Sequence, residues 1–153
     1  MRTAFHAAAS MSLWFDPAAL PAPPFEPPPD TLARHLGIVF TQRGEDFVQA
    51  RMPVDTRTRQ PAGLLHGGAS VALAETAMSA AASWTVDPDR FQVVGLEINA
   101  NHLKGVREGF VVATARPLHR GRSTQVWACD IRDDGGALVC TARMTVSVLE
   151  RRP

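Results

Sequence analysis

The chain has 153 residues, 45% of them apolar and 20% charged, with 16 Lys and Arg against 15 Asp and Glu. That length and composition suit one domain with its own core, and a formal net charge of +1 argues against the broad basic field that sequence-independent nucleic-acid binding needs. Two cysteines, Cys129 and Cys140, are too few for a disulfide scaffold and lack the paired spacing of a zinc site, so no metal is expected.

The stretch from Met1 to Trp14 holds one Arg and an Ala-rich run broken by His6 and followed by Asp16, a poor match to a secretory leader, so a cytoplasmic protein is expected. Seven of the 12 prolines lie before residue 31, at a density that forbids helix interior and central strand alike. Residues 1–30 therefore read as a proline-rich arm and residues 31–153 as the single folded domain. A short helical segment, Thr31 to His35, opens that domain, followed by candidate strands at Leu36 to Thr41 and Asp46 to Val54. In the second strand Val48, Ala50, Met52 and Val54 alternate with Gln49, Arg51 and Pro53, and Pro53 places it near a sheet edge.

After the polar loop Asp55 to Gly63, the segment Leu64 to Val86 shows no strand alternation and is rich in Ala, Leu and Met, which predicts the one long helix. The stretch from Pro61 to Val86 is about long enough to span a bilayer, but its small residues and central Glu75 fit a buried helix of a soluble protein instead. Four strands are expected next, at Gln92 to Leu103, Phe110 to Leu118, Ser123 to Arg132 and Ala137 to Leu149. In the last, Leu138, Cys140, Ala142, Met144, Val146 and Val148 share one face. Two strands, a long helix and four turn-linked strands predict an α+β fold, an antiparallel sheet wrapped around a helix that is apolar on most sides. A two-residue turn at Asp134-Gly135 would set Cys129 opposite Cys140, whereas a bulge would shift them by one.

Glu75 is the only charged residue between Gln60 and Val86 apart from the titratable His66, and its helical neighbours Val71, Ala72, Met78 and Ser79 are apolar or small. A carboxylate desolvated there would gain basicity and suit a general base; the alternative is a structural Glu at a rim or paired with a strand Arg. At the helix start, His66-Gly67-Gly68 leaves backbone N–H groups open to a ligand, where the helix dipole adds positive potential. That arrangement can hold an oxyanion, or the glycines can serve close packing alone. Gly67 and Glu75 are eight residues apart, about 12 Å along one helix. For both to act on one atom, Glu75 must come from a second copy of the chain, across a two-fold axis that relates antiparallel helices. An obligate dimer with two equivalent sites follows.

The run Gln60-Pro61-Ala62-Gly63-Leu64-Leu65-His66-Gly67-Gly68-Ala69-Ser70, with Glu75 and the segment Val94 to His102, resembles the hotdog-fold acyl-CoA thioesterases. The likeness is strongest to the branch that hydrolyses 1,4-dihydroxy-2-naphthoyl-CoA in menaquinone biosynthesis, with its siderophore-pathway proofreading relative and the 4-hydroxybenzoyl-CoA thioesterases. It covers about Leu36 to Leu149 and leaves residues 1–30 outside. The resemblance implies Glu75 as nucleophile or as general base on water, and the Gly67 N–H as donor to the thioester carbonyl. It implies that Gln60 and His66 hold the carbonyl or the leaving thiolate from the opposite subunit, and that Ser79 places the attacking water. It also implies a homotetramer built as a dimer of dimers.

Coenzyme A, here part of the substrate and not a separate cofactor, carries phosphates that call for basic and backbone donors in nearby loops. By resemblance the contacting residues are Gly95; His102, Leu103, Lys104 and Gly105; and His119, Arg120, Gly121, Arg122, Ser123 and Thr124. The residues thus point to an acyl-CoA thioesterase, with an aromatic acyl group expected. An enoyl-CoA hydratase on the same fold fits less well, since Glu75 lies far from His66 along the helix. A non-catalytic acyl-CoA binding or sensing module is the alternative from another class; the chain carries no DNA-binding segment as its output.

Overall fold

The computed structural model describes residues 12–152. Its elements are α1 (Leu32–His35), β1 (Val39–Arg43), β2 (Val48–Pro53), α2 (Gly67–Ser83), β3 (Phe91–His102), β4 (Phe110–Arg120), β5 (Thr124–Asp133) and β6 (Leu138–Glu150). The strands form one antiparallel sheet in the order β1-β2-β4-β5-β6-β3. Together with the single long helix this is the α+β hotdog arrangement.

The long helix is shorter than its composition suggests. Leu64 to His66 are not helical: Leu65 bridges to Arg59, and the Leu65 and His66 N–H groups donate to Val106 and Thr58 carbonyls. The extended backbone of His66 serves as N-cap, and its Nδ1 accepts a 2.8 Å hydrogen bond from the Gly68 N–H. At the other end Trp84 caps the helix, and Thr85 turns away from it.

Ala69, Ser70, Leu73, Ala74, Ala77, Met78, Ala81 and Ala82 are the buried stripe of α2, at the three- and four-residue spacing that faces the concave sheet. Alanines let the helix sit close to the inward side chains of β2, β4, β5 and β6, among them Met52, Trp127, Ile131 and Met144. The β6 alternation holds from Cys140 on, with Cys140, Ala142, Met144, Val146 and Val148 buried, but at the strand's start Leu138 is half-buried and Val139 is buried. A buried relay ties the helix end to β5: Trp127 Nε1 donates to Gln125 Oε1, Gln125 Nε2 to Thr85 Oγ1, and Thr85 Oγ1 to the Ala82 carbonyl. β2 lies one strand in from the edge, and Pro53 ends it opposite Phe110, so its missing N–H falls at a strand terminus.

The cysteines are neither opposite nor offset by one. Cys129 pairs with Ala142, and Cys140 with Ile131. A turn closed by the Asp133 N–H on Ala137, with Gly136 at positive φ, moves the register once, and a bulge between Ile131 and Arg132 moves it again. Both thiols are free and buried.

Part of the proline-rich segment is docked on the body. Trp14 is 5% exposed, its indole donates to the Gly44 carbonyl at 2.9 Å, and its ring meets Trp84 edge-on. Phe25 bridges to Phe40 and stacks on it, with both rings against Trp84.

Candidate active site

Gln60, Leu64, Gly67, Ser70, His102 and Lys104 line a cleft of about 360 Å³ at the start of α2, with Leu103 and Gly105 on its wall. Local hydrogen bonds build it. The Gln60 N–H donates to Leu64 and the Gly63 N–H to Gln60, folding 60–64 into a tight turn, and the Leu65 N–H donates to Val106, fastening that turn to the loop after β3. Among the described residues the Gly67 N–H has no hydrogen-bond partner. It is the first helical residue, so its donor points out of the helix, where the dipole favours negative charge. The His102 ring lies directly over it: a β-carbon on Gly67 would stand 2.8 Å from His102 Nε2.

His66, next to this cleft, is exposed, and with Nδ1 occupied by the Gly68 N–H its Nε2 is the atom left for a ligand. Gln60 Oε1 accepts from the Ala62 N–H, which leaves its amide NH2 as a donor. Lys104 is not a free cation, since its ammonium pairs with Asp133. That contact, reinforced by N–H groups of Ala137 and Gly135, holds the Asp133 carboxyl below the ordinary range. Arg107 Nη1 reaches the Ala62 carbonyl at 3.4 Å, on the rim of the same turn.

Glu75 is elsewhere. The expectation of a carboxylate buried by its own chain is corrected here: within one chain Glu75 is exposed, on the side of α2 that the sheet leaves uncovered, with Val71, Ala72 and Ser79 half-buried beside it. Its Oε1 lies 3.6 Å from where a β-carbon on Gly95 would stand, an ordinary contact distance that sets the two residues side by side. A bulge between Gly95 and Glu97 bends β3 at this point. Ser79 follows one turn on, its hydroxyl 3.9 Å from Met144 Sδ.

The expected residues therefore fall into three groups. Gln60, His66, Gly67, His102, Leu103, Lys104 and Gly105 gather at the helix start; Glu75, Ser79 and Gly95 lie midway along it; Arg120, Gly121 and Arg122 lie with Thr85, Asp87 and Arg90 at its far end. In that last group the turn 121–123 is closed by the Gly121 N–H on Thr124, with His119 folded against Gly121 and the Ser123 carbonyl accepting from Val148. Ser70 and Val139 also line the first cleft, and sequence reasoning passed them over. Ser70 follows the Gly-Gly pair at buried-stripe spacing, but nothing in the strand pattern marks Val139. Among the described residues no three His, Cys, Asp or Glu side chains cluster as metal ligands would, and no helix is long and apolar enough to cross a membrane.

The edge strand β3 leaves Val94 and Leu96 at 43% and 63% exposed, flanking the uncovered side of α2, and Leu103, just after it, is exposed as well. Twelve residues of open edge with exposed aliphatics make a surface that proteins seldom leave bare.

Comparison with known proteins identifies the family. The thioesterase superfamily profile matches residues 62–140, just over half of the chain. A proofreading thioesterase, EntH, from Cronobacter sakazakii is 49% identical over 119 residues, covering 78% of this chain and 86% of its own. A crystal structure of a thioesterase from Haemophilus influenzae is 51% identical, with a TM-score of 0.78 over 80% of this chain and 85% of its own. A thioesterase from Pseudomonas aeruginosa, crystallised as a glutamine-to-alanine variant, is 47% identical, with a TM-score of 0.79 over 80% of this chain and 88% of its own. With the antiparallel sheet around α2 and these relatives at about half identity, the chain belongs to the thioesterase superfamily as a hotdog-fold thioester hydrolase.

Proposed function

We propose that the protein hydrolyses an aromatic acyl-CoA, of the 1,4-dihydroxy-2-naphthoyl-CoA or 4-hydroxybenzoyl-CoA kind, to the free acid and coenzyme A, and that two chains share each site. The observation that carries this reading is Glu75, exposed on an otherwise apolar and small-residue helix side beside the open β3 edge. A carboxylate so placed gains its desolvation from a second chain laid against β3, and that chain brings its own Gly67 cleft towards it. The separation of about 12 Å along α2 prevents one chain from doing both jobs.

In this reading the Gly67 N–H donates to the thioester carbonyl oxygen and stabilises the negative charge that develops there. Glu75 of the facing chain either removes a proton from the attacking water or adds to the carbonyl carbon itself, and the C–S bond then breaks to release the thiolate; in the second route water then hydrolyses the acyl–Glu75 anhydride to the free acid and restores the carboxylate. Ser79, one turn beyond Glu75, orients that water. His66 Nε2 and the Gln60 amide serve the carbonyl or the departing sulfur. His102 to Gly105 and His119 to Thr124 hold the coenzyme, with Gly95 at the channel beside the carboxylate.

The dimer further pairs into a tetramer, and the protein works in the cytoplasm, in keeping with its two free, buried thiols. A place in menaquinone biosynthesis follows if the naphthoyl thioester is the preferred substrate. Thiol release from a panel of aryl- and alkyl-CoAs tests the reading. Aryl-CoAs are expected to turn over fastest, and Glu75→Gln and Glu75→Ala to lose roughly 10²–10⁴-fold in kcat while still binding coenzyme A. Binding without turnover by the wild-type protein would instead support an acyl-CoA sensing module.

A further inference from the structure

The far end of α2 carries a second cleft, of about 500 Å³, whose walls include Phe15, Arg90, Arg120, Arg122 and Gln125. Phe15 belongs to the proline-rich segment, outside the stretch that resembles the thioesterases. Its ring is 55% exposed, yet its backbone is fixed: the Phe15 N–H donates to the Trp84 carbonyl at 2.9 Å, and the preceding Trp14 is buried and hydrogen-bonded to Gly44. Those two anchors precede the Phe15 Cα, and after it the Pro17 carbonyl accepts from Arg43 Nη2 at 3.1 Å, so the ring is held at the cleft wall while its own face stays open. Arg120 and Arg122 form no ion pair among the described residues, and Arg90, its guanidinium over the Phe91 ring, pairs only with Glu150 at 3.9 Å. Asp87, the one acidic wall residue, already accepts from the Asp89 N–H. The floor is rigid, because Gln125 belongs to the buried relay with Thr85 and Trp127.

One open aromatic face beside three arginines is the chemistry that recognises a purine nucleotide: the ring stacks the base and the guanidiniums pair with phosphates. Length agrees. From Glu75 to Thr85 is ten residues of helix or turn, about 15 Å at the helical rise, and from Gly95 back to Phe91 along β3 is about 13 Å. The pantetheine arm of coenzyme A, some twelve skeletal bonds from sulfur to the first phosphate oxygen, spans about as much as four extended residues, roughly 14 Å.

We propose that the docked arm completes the nucleotide end of the coenzyme A site, with Phe15 stacking on the adenine ring and Arg90 joining Arg120 and Arg122 on the phosphates. This rests on the thioester reading above. Contact between coenzyme A and the Arg120–Arg122 turn is what the family resemblance implies; Phe15 and Arg90 are the added elements.

The test titrates adenosine 3′-phosphate 5′-diphosphate, which has no thiol arm, into the full-length protein by calorimetry. Wild type is expected to bind, Phe15→Ala to bind roughly tenfold more weakly, and Phe15→Trp to match wild type. In hydrolysis, Phe15→Ala is expected to raise the KM for benzoyl-CoA by a similar factor. Its kcat/KM for benzoyl-pantetheine, which lacks the nucleotide, should equal that of wild type. Equal nucleotide affinity in wild type and Phe15→Ala overturns the proposal, as does no binding by wild type. A loss of oligomer in Phe15→Ala, seen by sedimentation, also overturns it, since the ring would then be packing on a second copy. If no thioester is hydrolysed but Phe15→Ala still weakens nucleotide binding, the hydrolase reading fails and the nucleotide site stands.

Discussion

Gly67 and His102 are packed so closely that a β-carbon on the glycine would stand 2.8 Å from the imidazole Nε2. The contact joins the first residue of α2 to the last of β3, and it sets the face towards which the free Gly67 N–H points. Alanine is the better helix former, so Gly67→Ala is not expected to unfold α2; it must instead push the His102 ring out of the cleft. The expected result is a fall in kcat of roughly a hundredfold, comparable to losing one oxyanion donor. Circular dichroism should show the helix unchanged. Adding His102→Ala to Gly67→Ala should restore any thermal stability lost to the clash, and unrestored stability would mean that the strain lies elsewhere.

Trp14 is buried at 5% exposure with its indole N–H satisfied by Gly44, although the proline-rich stretch around it reads as an arm. Its truncation leaves a cavity against Trp84 and an unpaired Gly44 carbonyl. Trp14→Ala is expected to cost about 3–5 kcal/mol, measured as a lower denaturation midpoint at constant slope. Phe15→Ala, at an exposed ring, should leave the midpoint where it is.

Asp133 is held below its ordinary 3.8, first by the hydrogen bond from Lys104 and then by the Ala137 N–H. A carboxyl lowered in the folded state contributes stability that is present above its unfolded value and is lost as pH falls through the folded one. Lys104→Ala should therefore move the Asp133 titration, followed by NMR, upward towards 3.8, and reduce the stability that is lost on acidification. An Asp133 titration that does not move in the variant would show that the backbone donors alone hold it.

Burial raises the Cys129 thiol well above its usual range and pushes the Cys140 thiol up as well. Neither should react with a thiol reagent at neutral pH in the native protein, and both should react after unfolding. The register keeps them on a diagonal, Cys129 across from Ala142 and Cys140 across from Ile131, and mild oxidation is expected to leave them unlinked, as a mass measurement would show.

Much of this arrangement was legible in the residues. The strict alternation in β6 named its buried face, the Ala-rich run named α2, and helix rise alone separated Gly67 from Glu75. Other features lay outside what a local pattern can carry. The helix loses Leu64 to His66 because Thr58 and Val106 capture their backbone, a tertiary pairing with no trace in the run itself. Glu75 is exposed because the sheet covers only one side of α2, so the small residues that suggested burial by the chain itself instead line an open face. The cysteine register needs both a positive-φ Gly136 and a bulge at the end of β5, and the Asp134-Gly135 dipeptide signals the turn but not the bulge. The coenzyme-contacting segments were named together by resemblance, and the sheet sends His102 and Arg120 to opposite ends of the helix, a separation that only the strand order reveals.

The central claim is that one site takes Gly67 from one chain and Glu75 from another. Mixing Gly67→Ala and Glu75→Ala proteins under conditions that exchange subunits tests it most directly. Random pairing makes half of the dimers mixed, and each mixed dimer has one site with both native residues. Thioesterase activity should therefore rise from near zero to about a quarter of wild type as exchange proceeds. If labelled subunits are seen to exchange while activity stays at the level of the separate variants, each chain works with its own residues and the shared site is wrong.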